Sequence, residues 1–415
     1  MLTRKMTLKK ATLLTATALF LFTSTVNAKD LTLSKTLPVD QRLVNVQTNA
    51  QVTEAGENID APKIEVVFVL DTTGSMGGLI KAAKEKIWSI AGTMAQAKTA
   101  PEIKMGLVAY RDRGDAYITQ TKDLSEDLDS MYSTLMDYRA NGGGDGPESV
   151  NKALYDAVHK MSWSQGQNTY KVIFLVGDAP PHMDYQDEVQ YPETLKISGD
   201  KGIIINAIQS GTNIRTTRRW QHIASLGGGN YFQVEQSGNT VAIATPYDKK
   251  IAELSSSMDK TRLYYGSAAE KVKQRRKVAA SDKLHRESSV ASQARRAAYN
   301  ASVSGKKNFL GNKELVAEIA AGKVALESIE AEALPEVLQT MSPSARQAFV
   351  DQKAKDRKAL AAEIKSLAKQ RDDFLKKRVE ASGAAAGSLD VQIFEAIQSQ
   401  SATKGLVYDK EDVKY

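Results

Sequence analysis

The sequence predicts an α/β fold, a mostly parallel sheet with helices on both faces, followed by an α-helical, coiled-coil C-terminal region. Up to about residue 236, apolar runs of strand length alternate with stretches in which apolar residues recur at helical spacing. Strands that alternate with helices form parallel sheets. After about residue 247 the strand signals stop, and Ala, Lys, Glu, Arg and Gln dominate, a composition typical of long helices.

Residues 1–28 have the pattern of a secretory signal peptide. A basic start is followed by an apolar stretch over residues 11–22 and by the small-residue cleavage site Val26-Asn27-Ala28. The apolar stretch is too short to span a bilayer, and no later stretch approaches that length. We therefore expect an exported protein, periplasmic or secreted, with no transmembrane segment after cleavage. The alternative is an uncleaved membrane anchor.

The composition excludes several classes of protein. The chain has no cysteine, which excludes a disulfide framework, a cysteine-linked lipid anchor and a thiol nucleophile. Its net charge is +7, and part of that excess would leave with the signal peptide. The remainder suits an anionic envelope surface. We expect no nucleic-acid partner, because the chain is expected to leave the cytoplasm.

The α/β domain is predicted over residues 63–257, after a polar linker at residues 29–62. Residues 117–123 predict an antiparallel edge strand. Amphipathic helices are predicted over residues 77–96 and from about Glu148. The apolar runs that predict core strands are residues 64–70, 103–110, 170–176, 203–208 and 230–234.

The remaining chain divides into three predicted parts. Residues 258–311 predict a basic helical linker, whose window 271–300 holds nine Lys or Arg against two acidic residues. A solvated or flexible linker and a contact with an anionic surface are both open interpretations of this window. Residues 312–382 predict a helical hairpin or coiled coil. The evidence is a seam that repeats at alternating spacings of four and three, formed by Leu360, Ile364, Leu367, Arg371 and Phe374. Residues 383–415 are left as a tail.

Oxygen-bearing side chains follow the first predicted core strand. Asp71, Thr73 and Ser75 lie at alternate positions after it, and carboxylate and hydroxyl oxygens are ligands for a hard divalent cation. Asp178 likewise follows the core strand at residues 170–176. Because open α/β sheets bind ligands at the carboxyl ends of their parallel strands, the sequence predicts a metal site at that edge.

Further candidates lie in the neighbouring loops. The glycine-rich segment at residues 141–148 carries Asp145, which we predict as a metal residue that acts directly or through water. Glu148 is predicted mainly to complement the dipole of the following helix. Asp112 would accept a hydrogen bond from metal-bound water. His182 would either face the ligand or pack against the two prolines before it.

These segments resemble the von Willebrand factor A domain with its metal-ion-dependent adhesion site (MIDAS). The family's first loop, Asp-x-Ser/Thr-x-Ser, is matched by Asp71, Thr73 and Ser75, and its distal Asp by Asp178. The middle loop normally offers a Thr, where this chain has Asp145. The resemblance, which covers roughly residues 63–257, implies a Rossmann-like sheet. It also implies a cation that completes its coordination with a carboxylate of a protein partner.

The resemblance and the composition together set the expected function. Mg²⁺ or Mn²⁺ is favoured over a caged Ca²⁺, because few donors leave water positions open. We expect an exported, bacterial-type protein-binding module for adhesion or scaffolding that has no enzyme activity. One alternative is an envelope structural protein that acts through its basic helical C-terminal region. A metal-assisted hydrolase is less favoured, because the four histidines include no His-Glu-x-x-His motif.

Overall fold

The computed structural model describes residues 61–144, 146–235, 243–381 and 388–409. The predicted signal peptide and residues 29–60 of the predicted linker lie outside this part of the chain. The described residues all belong to the unit Asn58–Tyr415. None of the helices in these ranges is both long enough and apolar enough to cross a membrane.

A six-stranded sheet lies at the centre of the described chain. Its strands are β1 Lys63–Asp71, β2 Glu102–Tyr110, β3 Thr119–Ser125, β4 Thr169–Gly177, β5 Ile203–Ser210 and β6 Gly228–Val234. Their order across the sheet is β3-β2-β1-β4-β5-β6. All neighbouring pairs are parallel except β2 and β3, which are antiparallel. The predicted mostly parallel sheet and its antiparallel edge strand are confirmed.

The two central strands are buried on both faces. Every residue of β4 is buried, and so is every residue of β1 after Lys63. Strands covered on both faces need apolar side chains at successive positions, which explains their unbroken Val, Ile, Leu and Phe runs. Phe68 and Phe174 stack on one face with ring centroids 5.7 Å apart, while Val67 and Ile173 belong to the core on the other face.

Five helices cover the two faces of the sheet. They are α1 Gly77–Met94, α2 Leu128–Asp137, α3 Val150–His159, α4 Tyr191–Asp200 and α5 Ile214–Leu226. Helices α1 and α2 pack on the face of Phe68, and α3, α4 and α5 pack on the face of Val67. Helix α1 confirms the amphipathic helix predicted over residues 77–96.

The chain after the sheet is helical, as predicted. Its helices are α6 Asp248–Asp259, α7 Ala268–Glu287, α8 Val290–Asn300, α9 Lys306–Leu310, α10 Leu315–Ala320, α11 Glu336–Gln339, α12 Pro343–Ala381 and α13 Leu389–Ser401. The helical hairpin predicted over residues 312–382 is wrong in its first half. Residues 312–339 form short helical pieces instead of one long helix, and Pro335 has no N–H to continue a helix. Within the described residues, helix α12 does not pair with a neighbouring long helix. Its residue Ile364, from the pattern that predicted the coiled coil, packs into a core with α6 and α8.

Four side chains of the basic window at residues 271–300 attach α7 and α8 to the sheet domain, and a fifth, Lys271, contacts the segment between α10 and α11. Five of its nine basic residues have partners within the chain, and the other four are exposed. The pairs are Lys271 with the carbonyls of Glu332 and Leu334, Lys277 with Asp127, Lys283 with Asp137, Arg295 with Glu85, and Arg296 with Asp129. Neither open interpretation of the window included this docking role.

Acid is expected to weaken the most buried of these ion pairs. Burial opposes ionisation, but the charge of Arg296 outweighs it and lowers the pKa of Asp129 well below its usual range and the pKa of Asp259 to about 2. An unfolded Asp has a pKa of about 3.9, so this stabilisation is complete above about pH 4 and is lost as the pH falls toward 2. Urea unfolding across this pH range measures the loss, and a flat profile would contradict it.

Helix α13 lies in the segment that the sequence left as a tail. Its apolar residues Ile393, Phe394 and Ile397 are buried in the core shared with α1 and β6. Lys86 of α1 pairs with Asp390 at 2.5 Å. The segment therefore completes one face of the sheet.

Replacing Ile397 with Ala is expected to lower the free energy of unfolding by about 2–5 kcal/mol, because the side chain is fully buried and its loss leaves a cavity. Val407, which is 52% exposed, provides the matched control. Val407→Ala should change the free energy of unfolding by less than about 0.5 kcal/mol. Urea denaturation measures both. Equal effects would mean that α13 adds nothing to the core.

Candidate metal centre

The loop after β1 brings the three predicted first-loop residues together. Asp71 is completely buried, and its Oδ1 accepts hydrogen bonds from the Thr73 amide at 2.8 Å and the Thr73 hydroxyl at 2.6 Å. The Ser75 hydroxyl lies 3.5 Å from the Thr73 hydroxyl. The second carboxylate oxygen, Asp71 Oδ2, is buried without a hydrogen-bond partner in the described chain. One carboxylate and two hydroxyls therefore share one turn.

The end of β4 places Asp178 beside this turn. In the parallel register Leu70 faces Val176, so both strands end at the same edge of the sheet. Burial, assisted by the charge of Asp178, raises the pKa of Asp71 to about 7, and the hydrogen bonds from Thr73 and from the Asp178 backbone oppose this rise. Gly177 permits this approach, because a Cβ there would lie 3.1 Å from the Asp71 Cβ and 2.4 Å from the Tyr110 hydroxyl.

Glu148, two residues before the start of α3, contributes another buried carboxylate. Its Oε2 has no hydrogen-bond partner among the described residues. A Cβ on Gly143 would lie 3.2 Å from Glu148 Oε1 and 3.3 Å from Thr73 Cβ, so the two side chains flank the same piece of backbone. Burial, followed by the charges of Asp71 and other nearby carboxylates, raises the pKa of Glu148 to about 9. Glu148 thus faces the centre, a position that its place before a helix does not reveal.

Asp145 lies outside the described residues, but the glycines before it are placed. The Gly74 amide donates to the Gly142 carbonyl at 3.1 Å, and the Gly143 amide donates to Asp115 Oδ2 at 3.0 Å. Gly142 has a φ of 77°, and a Cβ there would lie 2.3 Å from Asp115 Oδ1. Glycine is therefore needed for the middle loop to approach the first loop. The sequence did not predict that Asp115, in the loop after β2, holds the glycine-rich loop through the Gly143 amide.

Asp112 and His182 form a buried network beside the centre. His182 Nε2 lies 3.2 Å from Asp112 Oδ2, and its Nδ1 lies 2.8 Å from Asp184 Oδ1. The Ser149 hydroxyl donates to Asp112 Oδ1 at 2.8 Å, and the Tyr185 ring stacks on His182 at 4.0 Å. His182 is therefore fixed by carboxylates on both sides, an arrangement that neither predicted alternative included.

The donor set is chemically suited to a hard cation. In the described ranges, no three His, Cys, Asp or Glu side chains converge as a metal-ligand cluster. The centre instead combines Asp71 with the hydroxyls of Thr73 and Ser75, and all three groups offer oxygen. The partnerless Asp71 Oδ2 supports the fit, because a buried carboxylate oxygen needs a donor or a cation.

The sheet domain is similar to a known protein family. Residues 65–245 match the family model described as von Willebrand factor A domain. Alpha-protein kinase vwkA of Dictyostelium discoideum is 26% identical over 161 residues, which are 39% of this chain and 24% of that protein. The von Willebrand factor A domain-containing protein 7 of Rattus norvegicus is 38% identical over 121 residues, which are 29% of this chain and 12% of that protein. The chain thus spans less than a quarter of the length of these relatives.

Two solved structures are also similar to part of the chain. The SpRpn10 VWA domain has a TM-score of 0.33 and 14% identity, and the match covers 42% of this chain and 89% of that one. Proximal thread matrix protein 1 from the mussel byssus, with a zinc-occupied MIDAS motif, has a TM-score of 0.34 and 16% identity. The match covers 44% of this chain and 43% of that one. The family model and the observed sheet together support a von Willebrand factor A domain over residues 65–245.

Proposed function

We propose that this chain is a protein-binding module that holds a divalent cation at the candidate metal centre and uses it to bind a carboxylate of a protein partner. The observation that carries the proposal is the pair of buried carboxylate oxygens, Asp71 Oδ2 and Glu148 Oε2, without hydrogen-bond partners in the described chain. Burial without a compensating charge disfavours the ionised form of both groups, which is why their pKa values rise to about 7 and about 9. A cation between the loops would favour the ionised carboxylates and pair with them.

The proposed cation is Mg²⁺ or Mn²⁺, with Ca²⁺ as the alternative. Asp71, Thr73 and Ser75 would hold it, together with Asp178 and the middle-loop residue Asp145. When bound, the cation supplies a positive charge with coordination positions open to an incoming carboxylate. The additional carboxylates of the centre would strengthen cation binding and weaken the attraction for an acidic partner.

The surface around the centre supports a protein partner with acidic side chains. Met183 and Val189, in the loop after β4, are 37% and 40% exposed, and Ile214, the first residue of α5, is 61% exposed. Arg215 and Arg218 are exposed on the same helix. Apolar side chains beside cations suit an acidic protein surface, since the cations would steer it and the apolar groups would be buried on contact.

We propose a binding role rather than a catalytic one. His182, the histidine of the network beside the centre, has both ring nitrogens within hydrogen-bond distance of carboxylates, so it is poorly placed to serve as a general base. The basic start and apolar stretch of residues 1–28 support action outside the cytoplasm, in the periplasm or after secretion. The docking contacts of the basic window favour the α/β domain over the helical region as the binding part.

Crosslinking in the native cells tests the bridge to a partner. The full-length protein carries a photo-crosslinker at Ile214, and crosslinked partners are identified with Mn²⁺ present, after chelation, and in Asp71→Ala. The proposal expects crosslinks that require both the metal and Asp71. It also expects a partner Asp or Glu whose replacement by Asn or Gln abolishes them. Crosslinks that persist after chelation and in Asp71→Ala would contradict a cation-mediated contact.

A further inference from the structure

A cavity of about 400 Å³ lies between helices α1, α8 and α12. Its lining includes Trp88 and Ser89 of α1, Arg295 and Tyr299 of α8, and Arg371 of α12. Trp88 lies about 16 Å along α1 from the residue that starts the helix beside the metal centre, so the two sites are distinct. A volume of this size is in the range of pockets that hold small organic ligands.

The residues that line this cavity include three that each bury a donor without a hydrogen-bond partner in the described chain. The donors are Trp88 Nε1, Ser89 Oγ and Arg371 Nη2, on side chains that are 1%, 2% and 3% exposed. The indole and guanidinium nitrogens can only donate. Folded proteins satisfy most buried polar groups, and each donor left unsatisfied costs about 1–3 kcal/mol. Three such donors around one cavity indicate a missing acceptor.

The charge of the lining indicates that the acceptor is an anion. Five basic side chains line the cavity against two acidic ones, Asp372 and Asp373. Arg371 pairs through its Nε with Asp248 Oδ1 at 2.7 Å and lies 4.0 Å from Asp372 through its Nη1, and Arg295 lies 3.9 Å from Glu85. Burial, followed by the positive charge of Arg371, lowers the pKa of Arg295 to about 10. The two guanidinium groups therefore repel each other, and a bound anion would relieve the repulsion.

Aromatic rings give the cavity an apolar wall. The Trp88 ring packs against Tyr132 and Tyr299 with centroid separations of 5.6 and 5.9 Å. A wall of this kind suits the carbon skeleton of a ligand whose acidic group reaches the donors. We propose that this cavity binds a small organic anion whose carboxylate or phosphate group accepts hydrogen bonds from Trp88, Ser89 and Arg371.

Calorimetric titration of the full-length protein tests the proposal. Citrate and glycerol 3-phosphate are the probes, which separate carboxylate from phosphate, and glycerol is the uncharged control. At least one anion is expected to bind with a Kd below about 1 mM, while glycerol does not bind. Trp88→Phe keeps an aromatic six-membered ring but removes the five-membered ring with its N–H, and Ser89→Ala removes the hydroxyl. Each is expected to weaken binding at least about tenfold.

Two further variants make the outcome specific. Ser401→Ala removes another buried hydroxyl without a hydrogen-bond partner, on α13 and outside the cavity lining, and should bind the anion as the unmodified protein does. Asp71→Ala should also keep anion binding, which separates this cavity from the metal centre. The proposal is overturned if neither anion binds, if Trp88→Phe and Ser89→Ala both bind as tightly as Ser401→Ala, or if Asp71→Ala abolishes binding.

Discussion

Replacing Asp129 with Ala is expected to lower the free energy of unfolding by about 3–5 kcal/mol, because it leaves the Arg296 charge buried without its closest carboxylate. Both side chains are completely buried. Arg296 Nε lies 2.7 Å from Asp129 Oδ1, and its Nη2 lies 2.5 Å from Asp129 Oδ2. Asp259, at 2.9 Å from Arg296 Nη1, would remain and limit the loss. Since Asp129 is on α2 and Arg296 on α8, the variant measures how firmly the helical region holds the sheet domain.

An exposed ion pair between neighbouring elements provides the control. Lys283 of α7 lies 2.5 Å from Asp137 at the end of α2, but the Asp137 side chain is 68% exposed. Asp137→Ala should therefore cost less than about 1 kcal/mol. Urea denaturation followed by circular dichroism at neutral pH measures both variants. A cost for Asp129→Ala no larger than that for Asp137→Ala would mean that the buried pair does not stabilise the interface.

The second large effect is expected at the metal centre. Asp71→Ala should weaken Mn²⁺ binding at least about 100-fold, which corresponds to about 2.7 kcal/mol. The substitution removes a buried carboxylate and also releases the Thr73 hydroxyl and amide, which Asp71 Oδ1 holds at 2.6 and 2.8 Å. Two oxygen donors are thus affected by one change. Electron paramagnetic resonance of added Mn²⁺ counts the free ion, and calorimetry gives the affinity.

Asp200→Ala is the matched control, because Asp200 is an exposed carboxylate at the end of α4. It should bind Mn²⁺ as the unmodified protein does. A metal that binds the folded state also raises the melting temperature, so the Mn²⁺-dependent shift should be present in Asp200→Ala and absent in Asp71→Ala. Identical shifts in the two variants would show that the ion binds elsewhere.

The parts of the fold and site that the sequence predicted are those whose signals are local. Asp71 and Asp178 each follow an unbroken apolar run, and the parallel sheet then brings them to one edge. The roles of Glu148 and Asp115 at the centre could not be predicted from the sequence. The start of a helix explains Glu148, and a turn explains Asp115, without any tertiary contact. Their roles depend on the glycine loop folding back over the first loop. No periodicity within either segment encodes that approach.

The helical region shows the same limit over longer distances. Arg296 lies within a basic stretch that resembles a solvated face, and its partner Asp129 precedes it by 167 residues. Burial of such a pair depends on α8 packing near α2, which no local pattern specifies. The apolar residues of α13 do carry a helical spacing, but nothing nearby indicates the surface that they cover.

The packing of residues 388–409 on the sheet also determines when the chain can complete its core. Lys86 and Asp390, which join α1 to α13, are 304 positions apart, so this face stays open long after β6 has been made. At about 5–20 residues per second, synthesis of the chain from the end of β6 to the end of α13 takes about 8–33 s. During that interval apolar side chains of α1 remain exposed, which favours aggregation or capture by a chaperone. Contacts of this sequence separation also slow folding, because a long loop must close before they form.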